Sequence, residues 1–140
     1  MILREKELIR AAMDAMKLAY APYSGVFVGA ALLTESGKVY TGCNVENAAF
    51  GPSCCAERVA ILKAVSEGER RFSALAVCGG KNGVITGAFP PCGVCRQVLA
   101  EFCSAELPIY LVLEKGWETV TLGQLLPHSF TADSFSETEQ

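Results

Sequence analysis

The sequence has little histidine, little net charge and no long apolar run, and each scarcity excludes a class of protein. Only one of its 140 residues is a histidine, His128, so a Ser-His-Asp or Cys-His mechanism would have to use that side chain. It follows Pro127 and has no orienting partner nearby in sequence, which favours a solvated loop residue. No apolar stretch approaches the roughly 18 residues of a membrane span. The charged first residues do not resemble a signal peptide.

The charge balance disfavours nucleic acid as a partner. Twelve basic residues against fifteen acidic ones give a net charge of −3, and the isoelectric point is near 5.2. Binding to a phosphate backbone requires a concentration of basic side chains, which this chain lacks. Apolar residues make up 51% of the chain, enough for a folded core. We therefore expect a cytoplasmic protein that binds neither nucleic acid nor a membrane.

The order of apolar patterns predicts an α/β fold in one domain over residues 1–130, followed by a polar tail over residues 131–140. Helical crossovers between apolar strands predict parallel pairing with helices on both faces, and an N-terminal hairpin makes the sheet mixed. The result is a three-layer α/β/α architecture with about five strands. The predicted elements are a helix over 8–20, strands over 26–34 and 39–43, a helix over 55–67, a strand over 74–78, a helix over 93–103, a strand over 109–113, and a short strand at 120–121 before a helical turn.

Three of the seven cysteines lie where loops enter predicted helices. In a cytosolic chain, an odd number of cysteines favours metal binding or catalysis over a disulfide framework. Cys92 and Cys95 are three residues apart and share one helix face, while Cys55 opens the preceding helix. Helix N termini favour thiolates, which zinc requires. Because three thiolates leave a fourth coordination position open, the pattern predicts one catalytic zinc ion per chain.

Two residues beside Cys55 complete the predicted chemistry. Glu57 could take and return protons next to activated water. On a regular helix Cys55 and Glu57 would diverge by about 200°, so they can face one point only if Cys55 precedes the first helical turn. Zinc with three thiolates carries one net negative charge. A hydrogen bond from Arg58 to a thiolate would offset it and support the Lewis acidity of the metal.

A closed structural zinc site is the alternative. Cys54 could supply a fourth ligand on spacing alone, but Glu57 and Arg58 would then have no function. Otherwise Cys54 is predicted to be a packed thiol, as are Cys43, Cys78 and Cys103.

A glutamate beside the first ligand and a Pro-Cys-x-x-Cys segment are the signature of zinc deaminases. Together with other segments, they make the chain resemble the small, homotetrameric, all-cysteine cytidine deaminases. The matching stretches are Ala21-Pro22-Tyr23-Ser24, Val28-Gly29-Ala30-Ala31-Leu32, Gly42-Cys43-Asn44-Val45-Glu46-Asn47-Ala48, Cys55-Ala56-Glu57-Arg58, Pro91-Cys92-Gly93-Val94-Cys95-Arg96-Gln97 and Leu125-Leu126-Pro127.

The resemblance implies zinc-dependent hydrolysis of free cytidine and deoxycytidine to uridine and deoxyuridine, as in pyrimidine salvage, with Glu57 as the catalytic residue. It implies that Asn44 and Glu46 hold the ribose hydroxyls and that the backbone of Ala56 contacts the pyrimidine edge. It also implies a homotetramer in which Phe130 closes the site of a neighbouring subunit, with Phe50 in a loop that also crosses between subunits.

The chain departs from the family at the wall of the base pocket. The family usually has Ser-x-Phe-x-Val-Gly, whereas this chain has Ser24-Gly25-Val26-Phe27-Val28-Gly29. Val26 therefore takes the position of the phenylalanine. Strand alternation places Phe27 on the opposite face. Either the register of the strand shifts locally, or the wall of the base pocket is smaller in this chain than in the family.

Other functional classes remain open from the sequence. Blasticidin-type deaminases share the zinc motif but resemble this chain less around Asn44–Asn47 and Arg58. Polynucleotide-editing deaminases commonly have a histidine in place of Cys55 and need a basic groove. The third class is a zinc-stabilised scaffold without turnover.

Overall fold

The computed structural model describes residues 2–135 and shows five strands and four helices in that range. They are α1 (Ile2–Met16), β1 (Val26–Thr34), β2 (Val39–Cys43), α2 (Ala56–Ser66), β3 (Phe72–Lys81), α3 (Gly93–Phe102), β4 (Pro108–Val112), β5 (Trp117–Thr121) and α4 (Leu122–Leu125), with a 3₁₀ turn at Ala132–Phe135. Among these described helices, none has the length and apolarity to cross a bilayer.

The strands form one mixed sheet in the order β2-β1-β3-β4-β5. This confirms the predicted α/β class and the mixed sheet of five strands, but of the two helical crossovers only the one through α3 joins strands that pair in parallel. Only β3 and β4 pair in parallel, whereas β1 is antiparallel to both β2 and β3, and β5 is antiparallel to β4. The crossover through α2 does carry the chain into a strand parallel to β2. Because β1 lies between them, β2 and β3 share a direction without pairing.

Side-chain alternation along the sheet builds two apolar layers. On β1, Val28, Ala30 and Leu32 pack towards α2 and α3, while Ala31 and Leu33 pack towards α1. β3 and β4 alternate in the same way, so α1 covers one face and the other helices cover the opposite face. This is the three-layer arrangement that the sequence predicts.

Several element boundaries differ from the sequence prediction. α1 ends at Met16 and not at residue 20. The backbone of Tyr20 is bonded to the backbone of Asn44 and Glu46, in the segment that follows β2, and so cannot continue the helix. β3 extends through Gly79 to Lys81 because it pairs with β1 up to Val26. Of the predicted tail, residues 132–135 form the 3₁₀ turn, and residues 136–140 lie outside the described part of the chain.

A close approach between β2 and α2 depends on Gly42. A β-carbon at this position would lie 2.3 Å from the carbonyl oxygen of Ala56 and 2.7 Å from the amide nitrogen of Ala60. Both are backbone atoms, so they cannot yield as a flexible side chain would. Glycine at position 42 therefore lets the first turn of α2 rest directly on the sheet.

We expect Gly42→Ala to lower the free energy of unfolding by about 1–3 kcal/mol, because the added methyl group must push α2 away from β2. Gly87→Ala is the matched control, since a β-carbon there meets no atom within 4 Å. Chemical denaturation of both variants measures the difference. Equal stability of the two variants would contradict the close approach.

Candidate active site

Two helices begin side by side at cysteine residues. Cys55 is the N-cap of α2 and Cys92 the N-cap of α3, both with extended backbone angles and without a side-chain capping bond. Cys95 lies in the first turn of α3. Cys55 thus precedes the helical turn that carries Glu57, which removes the 200° divergence expected on a regular helix. Both side chains line one cleft.

The three sulfurs form a cluster with the dimensions of a metal site. Sγ of Cys55 lies 3.8 Å from Sγ of Cys92, which is 3.5 Å from Sγ of Cys95, and all three sulfurs lie within 4.8 Å of one another. Zn–S bonds of about 2.3 Å in a tetrahedron place two sulfurs about 3.8 Å apart. The sulfur-only donor set and its spacing therefore fit zinc.

The surroundings of the cluster favour a thiolate at Cys55. A hydrogen bond from the thiol of Cys95, helped by Arg58, holds the pKa of Cys55 well below its usual range despite partial burial. The same bond and burial raise the pKa of Cys95, since its proton is shared with Cys55. A coordinated metal deprotonates such a thiol outright. Nη2 of Arg58 lies 3.7 Å from Sγ of Cys55 and 3.3 Å from the carbonyl oxygen of Ser53.

Glu57 is a buried carboxylate aimed at the cluster's cleft. It is only 3% exposed, and among the described residues its Oε1 has no hydrogen-bond partner. Burial raises the pKa of Glu57 to about 7. A buried oxygen that is both unpartnered and easily protonated can exchange protons with a molecule in the cleft.

The remaining cysteines lie outside the cluster, and all seven are free thiols. Cys54 pairs with Val45 through its backbone, and burial raises the pKa of its thiol. Burial also raises the pKa of Cys78 to about 11 and that of Cys103 to about 12. Cys78 and Cys103 pack in the core, whereas Cys54 is half-buried and lines the cleft, and its sulfur does not join the three-sulfur cluster.

Cys55 and Cys92 of the cluster line a cleft of about 550 Å³, and the predicted substrate residues Asn44 and Glu46 line the same cleft. The side-chain amide of Asn44 bonds to the backbone of β1 as a neighbouring strand would. Its oxygen accepts from the backbone amide of Val28 and its nitrogen donates to the carbonyl of Val26, both at 2.8 Å. Among residues 2–135, its second N–H and second lone pair have no further partner. Glu46 accepts from the backbone amides of Tyr23 and Ser24.

The walls of the cleft agree with strand alternation. Val26 lines the cleft and packs on the α2 side of the sheet, while Phe27 packs on the α1 side, so β1 does not slip. Phe89 forms a further wall residue that sequence analysis missed. It packs where a β-carbon on Gly79 would lie 3.0 Å from its ring. No local sequence signal identifies Phe89, because it comes from the irregular connector after β3.

Phe130 is not gathered at the cleft, and neither is His128, which the sequence predicts to be a solvated loop residue. Phe130 does not line it, is 60% exposed and packs edge-to-face against Phe135. His128 lies in an exposed loop with a φ of 51° and is likewise absent from the cleft. By contrast, Phe50 lines the cleft edge while 75% exposed, with its ring against Tyr23.

Three sulfurs that fit an open zinc site, beside a buried carboxylate, define a class of zinc-dependent hydrolytic enzyme. Residues 3–111 match the family model described as the cytidine and deoxycytidylate deaminase zinc-binding region. A cytidine deaminase of Sporosarcina psychrophila is 48% identical over 94% of each chain, and one of Halalkalibacterium halodurans is 45% identical over 93% of this chain and 96% of its own.

Solved structures agree with these relatives. The cytidine deaminase of Burkholderia pseudomallei superposes with a TM-score of 0.82 at 44% identity, covering 89% of this chain and 98% of that one. That of Mycobacterium tuberculosis gives a TM-score of 0.76 at 41% identity, covering 90% and 96%. The chain belongs to the cytidine deaminase family, whose members are hydrolytic deaminases, and zinc is its cofactor.

We expect Cys55→Ser, Cys92→Ser and Cys95→Ser each to reduce bound zinc far below one ion per chain, because a hydroxyl is a much weaker ligand than a thiolate. Metal analysis of the purified proteins measures this. Cys54→Ser is the matched control and should retain zinc. Loss of zinc from Cys54→Ser as well would instead indicate the closed, four-cysteine site.

Proposed function

We propose that this chain catalyses the hydrolytic deamination of free cytidine and deoxycytidine to uridine and deoxyuridine, with release of ammonia. One observation carries the proposal. The unpartnered oxygen of buried Glu57 and the three-sulfur cluster share one cleft with Asn44 and Glu46. In the proposed complex the base lies beside Glu57 and the sugar beside Asn44 and Glu46, so the two groups of residues match the two halves of a nucleoside.

Glu57 would move the protons of the reaction. Cys55, Cys92 and Cys95 would hold zinc, which supplies Lewis acidity towards water when bound. Oε1 of Glu57 accepts a proton from the attacking water and passes it to ring N3, which makes C4 electrophilic. Once C4 is tetrahedral, Glu57 transfers the second proton of the water to the amino group. The C4–N bond then breaks, and ammonia leaves.

Arg58 would tune the cluster without touching substrate. Its guanidinium lies beside Sγ of Cys55 and is held there by the carbonyl oxygen of Ser53. The charge-assisted contact with the thiolate raises the pKa of Arg58, so the side chain stays cationic. It withdraws negative charge from the sulfur and thereby preserves the Lewis acidity of the site.

The charges of the cleft favour nucleosides over nucleotides. Glu46, Glu57 and Arg58 are its charged lining residues, and Arg58 faces the sulfur cluster. A 5′-phosphate binds best where Arg or Lys can pair with it, and the cleft presents Glu46 to the sugar instead. This supports cytidine and deoxycytidine among the substrate types covered by the matching family.

The remaining assignments follow the same proposal. The backbone of Ala56 contacts the pyrimidine edge, and Val26 forms a smaller wall beside the base. Phe130 completes the site of a neighbouring subunit in a homotetramer, which agrees with its exposure and with its absence from the lining of the cleft in its own chain. We retain the prediction of a cytoplasmic enzyme of pyrimidine salvage.

We expect Glu57→Ala to lower kcat for cytidine by at least about 10²-fold, because the proton transfers lose their carrier. Ammonia release measures the rate, with zinc content and circular dichroism recorded on the same samples. The exposed Glu7→Ala on α1 serves as the control for removal of a carboxylate. If Glu57→Ala loses its zinc or its fold, Glu57 is structural and the proposed role is wrong.

We expect ammonia release from cytidine and deoxycytidine to exceed that from their 5′-monophosphates and from free cytosine. The monophosphates meet Glu46 without a cation to pair with, and cytosine lacks the hydroxyls that Asn44 and Glu46 would hold. Blasticidin S and a cytosine-containing single strand test the other deaminase classes. Comparable turnover of free cytosine would contradict the ribose contacts, and zinc without any turnover would indicate a scaffold.

A further inference from the structure

The carboxylate of Glu46 is held by the loop that leads into β1. Its Oε1 accepts hydrogen bonds from the backbone amides of Tyr23 at 3.0 Å and Ser24 at 3.1 Å. Its Oε2 accepts a hydrogen bond from the hydroxyl of Ser24. A carboxylate offers about four acceptor positions, so these three bonds leave one position, and it lies on Oε2.

The direction of the Ser24 hydroxyl is itself determined by β1. Oγ of Ser24 accepts a hydrogen bond of 3.0 Å from the backbone amide of Val26, the residue that begins the strand. With this amide on the oxygen, the single hydrogen of the hydroxyl points to Glu46. Ser24 thus connects Val26, at the start of β1, to Oε2 of Glu46, the oxygen that still has an acceptor position.

The backbone at Glu46 is fixed independently of Ser24. The amide of Glu46 donates to the carbonyl of Tyr20 at 2.9 Å, and the amide of Tyr20 donates to the carbonyl of Asn44 at 3.0 Å. Loss of the Ser24 hydroxyl would therefore leave the Glu46 backbone in place. Only the orientation and the pKa of its carboxylate would change.

We propose that Ser24 is a positioning residue that orients Oε2 of Glu46 towards a sugar hydroxyl of the substrate. The inference rests on the proposed function, in which Glu46 contacts the ribose. Ser24 acts through Glu46 and sets the strength and direction of one hydrogen bond to the sugar. Its loss should weaken binding of nucleosides that carry the hydroxyl and leave the chemistry at the zinc site unchanged.

Electrostatics agree with this role. The hydroxyl and amide of Ser24 are the chief reasons why the pKa of Glu46 lies below its usual range. Their donation stabilises the charged form, which is the stronger acceptor for a sugar hydroxyl.

Steady-state kinetics with two nucleosides test the proposal. Cytidine carries the 2′- and 3′-hydroxyls, whereas 2′,3′-dideoxycytidine lacks both and keeps the 5′-hydroxyl. For Ser24→Ala we expect KM for cytidine to rise about tenfold, the loss typical of a hydrogen bond involving a charged group. We expect KM for 2′,3′-dideoxycytidine, and kcat for both nucleosides, to stay within about twofold of the unaltered enzyme. Ser24→Thr keeps a hydroxyl and should restore most of the cytidine KM.

Ser36→Ala is the matched control. Ser36 lies in the turn between β1 and β2, at the end of β1 opposite to the cleft. Its hydroxyl, like that of Ser24, contacts a glutamate, Glu69. This variant should leave both KM values unchanged. An equal rise of KM for both nucleosides in Ser24→Ala, or no rise for either, would overturn the positioning role.

Two readouts separate this inference from the proposed function. If the unaltered enzyme does not discriminate between cytidine and 2′,3′-dideoxycytidine, the ribose contact of Glu46 itself is wrong. A carboxyl titration by NMR is independent of turnover and should show a higher pKa for Glu46 in Ser24→Ala than in the unaltered protein. An unchanged pKa would contradict the hydrogen bond from the Ser24 hydroxyl.

Discussion

The meeting of two helix N termini at three sulfurs is the constraint on which the rest of the structure depends. Cys55 and Cys92 stand where capping side chains normally bond to the helix, yet neither caps, and both turn their sulfurs towards each other. The free amides of the two first turns place positive potential at the cluster. Gly42 allows α2 to lie close enough to the sheet for this meeting, so the packing of a glycine and the chemistry of a metal site are coupled.

The polar side chains that line the cleft are of two kinds, one without a hydrogen-bond partner among the described residues and one already bonded to the backbone. Glu57 is buried and short of a partner, a costly arrangement that persists because the surrounding core holds it. The side chains of Asn44 and Glu46, which line the same cleft, are already bonded to the backbone around β1. Glu57 is thus poised for proton transfer, whereas Asn44 and Glu46 are held in orientation, which suits chemistry on one half of a molecule and recognition of the other.

Sequence reasoning succeeded where the signal is local. The Cys92–Cys95 spacing and the opposite faces of Val26 and Phe27 on β1 each depend on a single element, and each was located correctly. Sequence reasoning failed where the fold depends on backbone pairing between segments that are distant in the chain. Nothing local says that β1 inserts between β2 and β3, or that the chain at Tyr20 leaves its helix to bond with Asn44 and Glu46.

The sequence by itself determined the thiolate donor set, the neighbouring acid and cation, the layers of the fold and the family to which the chain is related. These depend on residue type and on short spacings that helix and strand geometry convert into shared faces. Only the tertiary structure decided that Cys55 is an N-cap, that Phe89 walls the cleft and that Ser24 holds Glu46. The last pair is 22 residues apart in the chain, and its contact depends on how β1 and the segment after β2 meet in space.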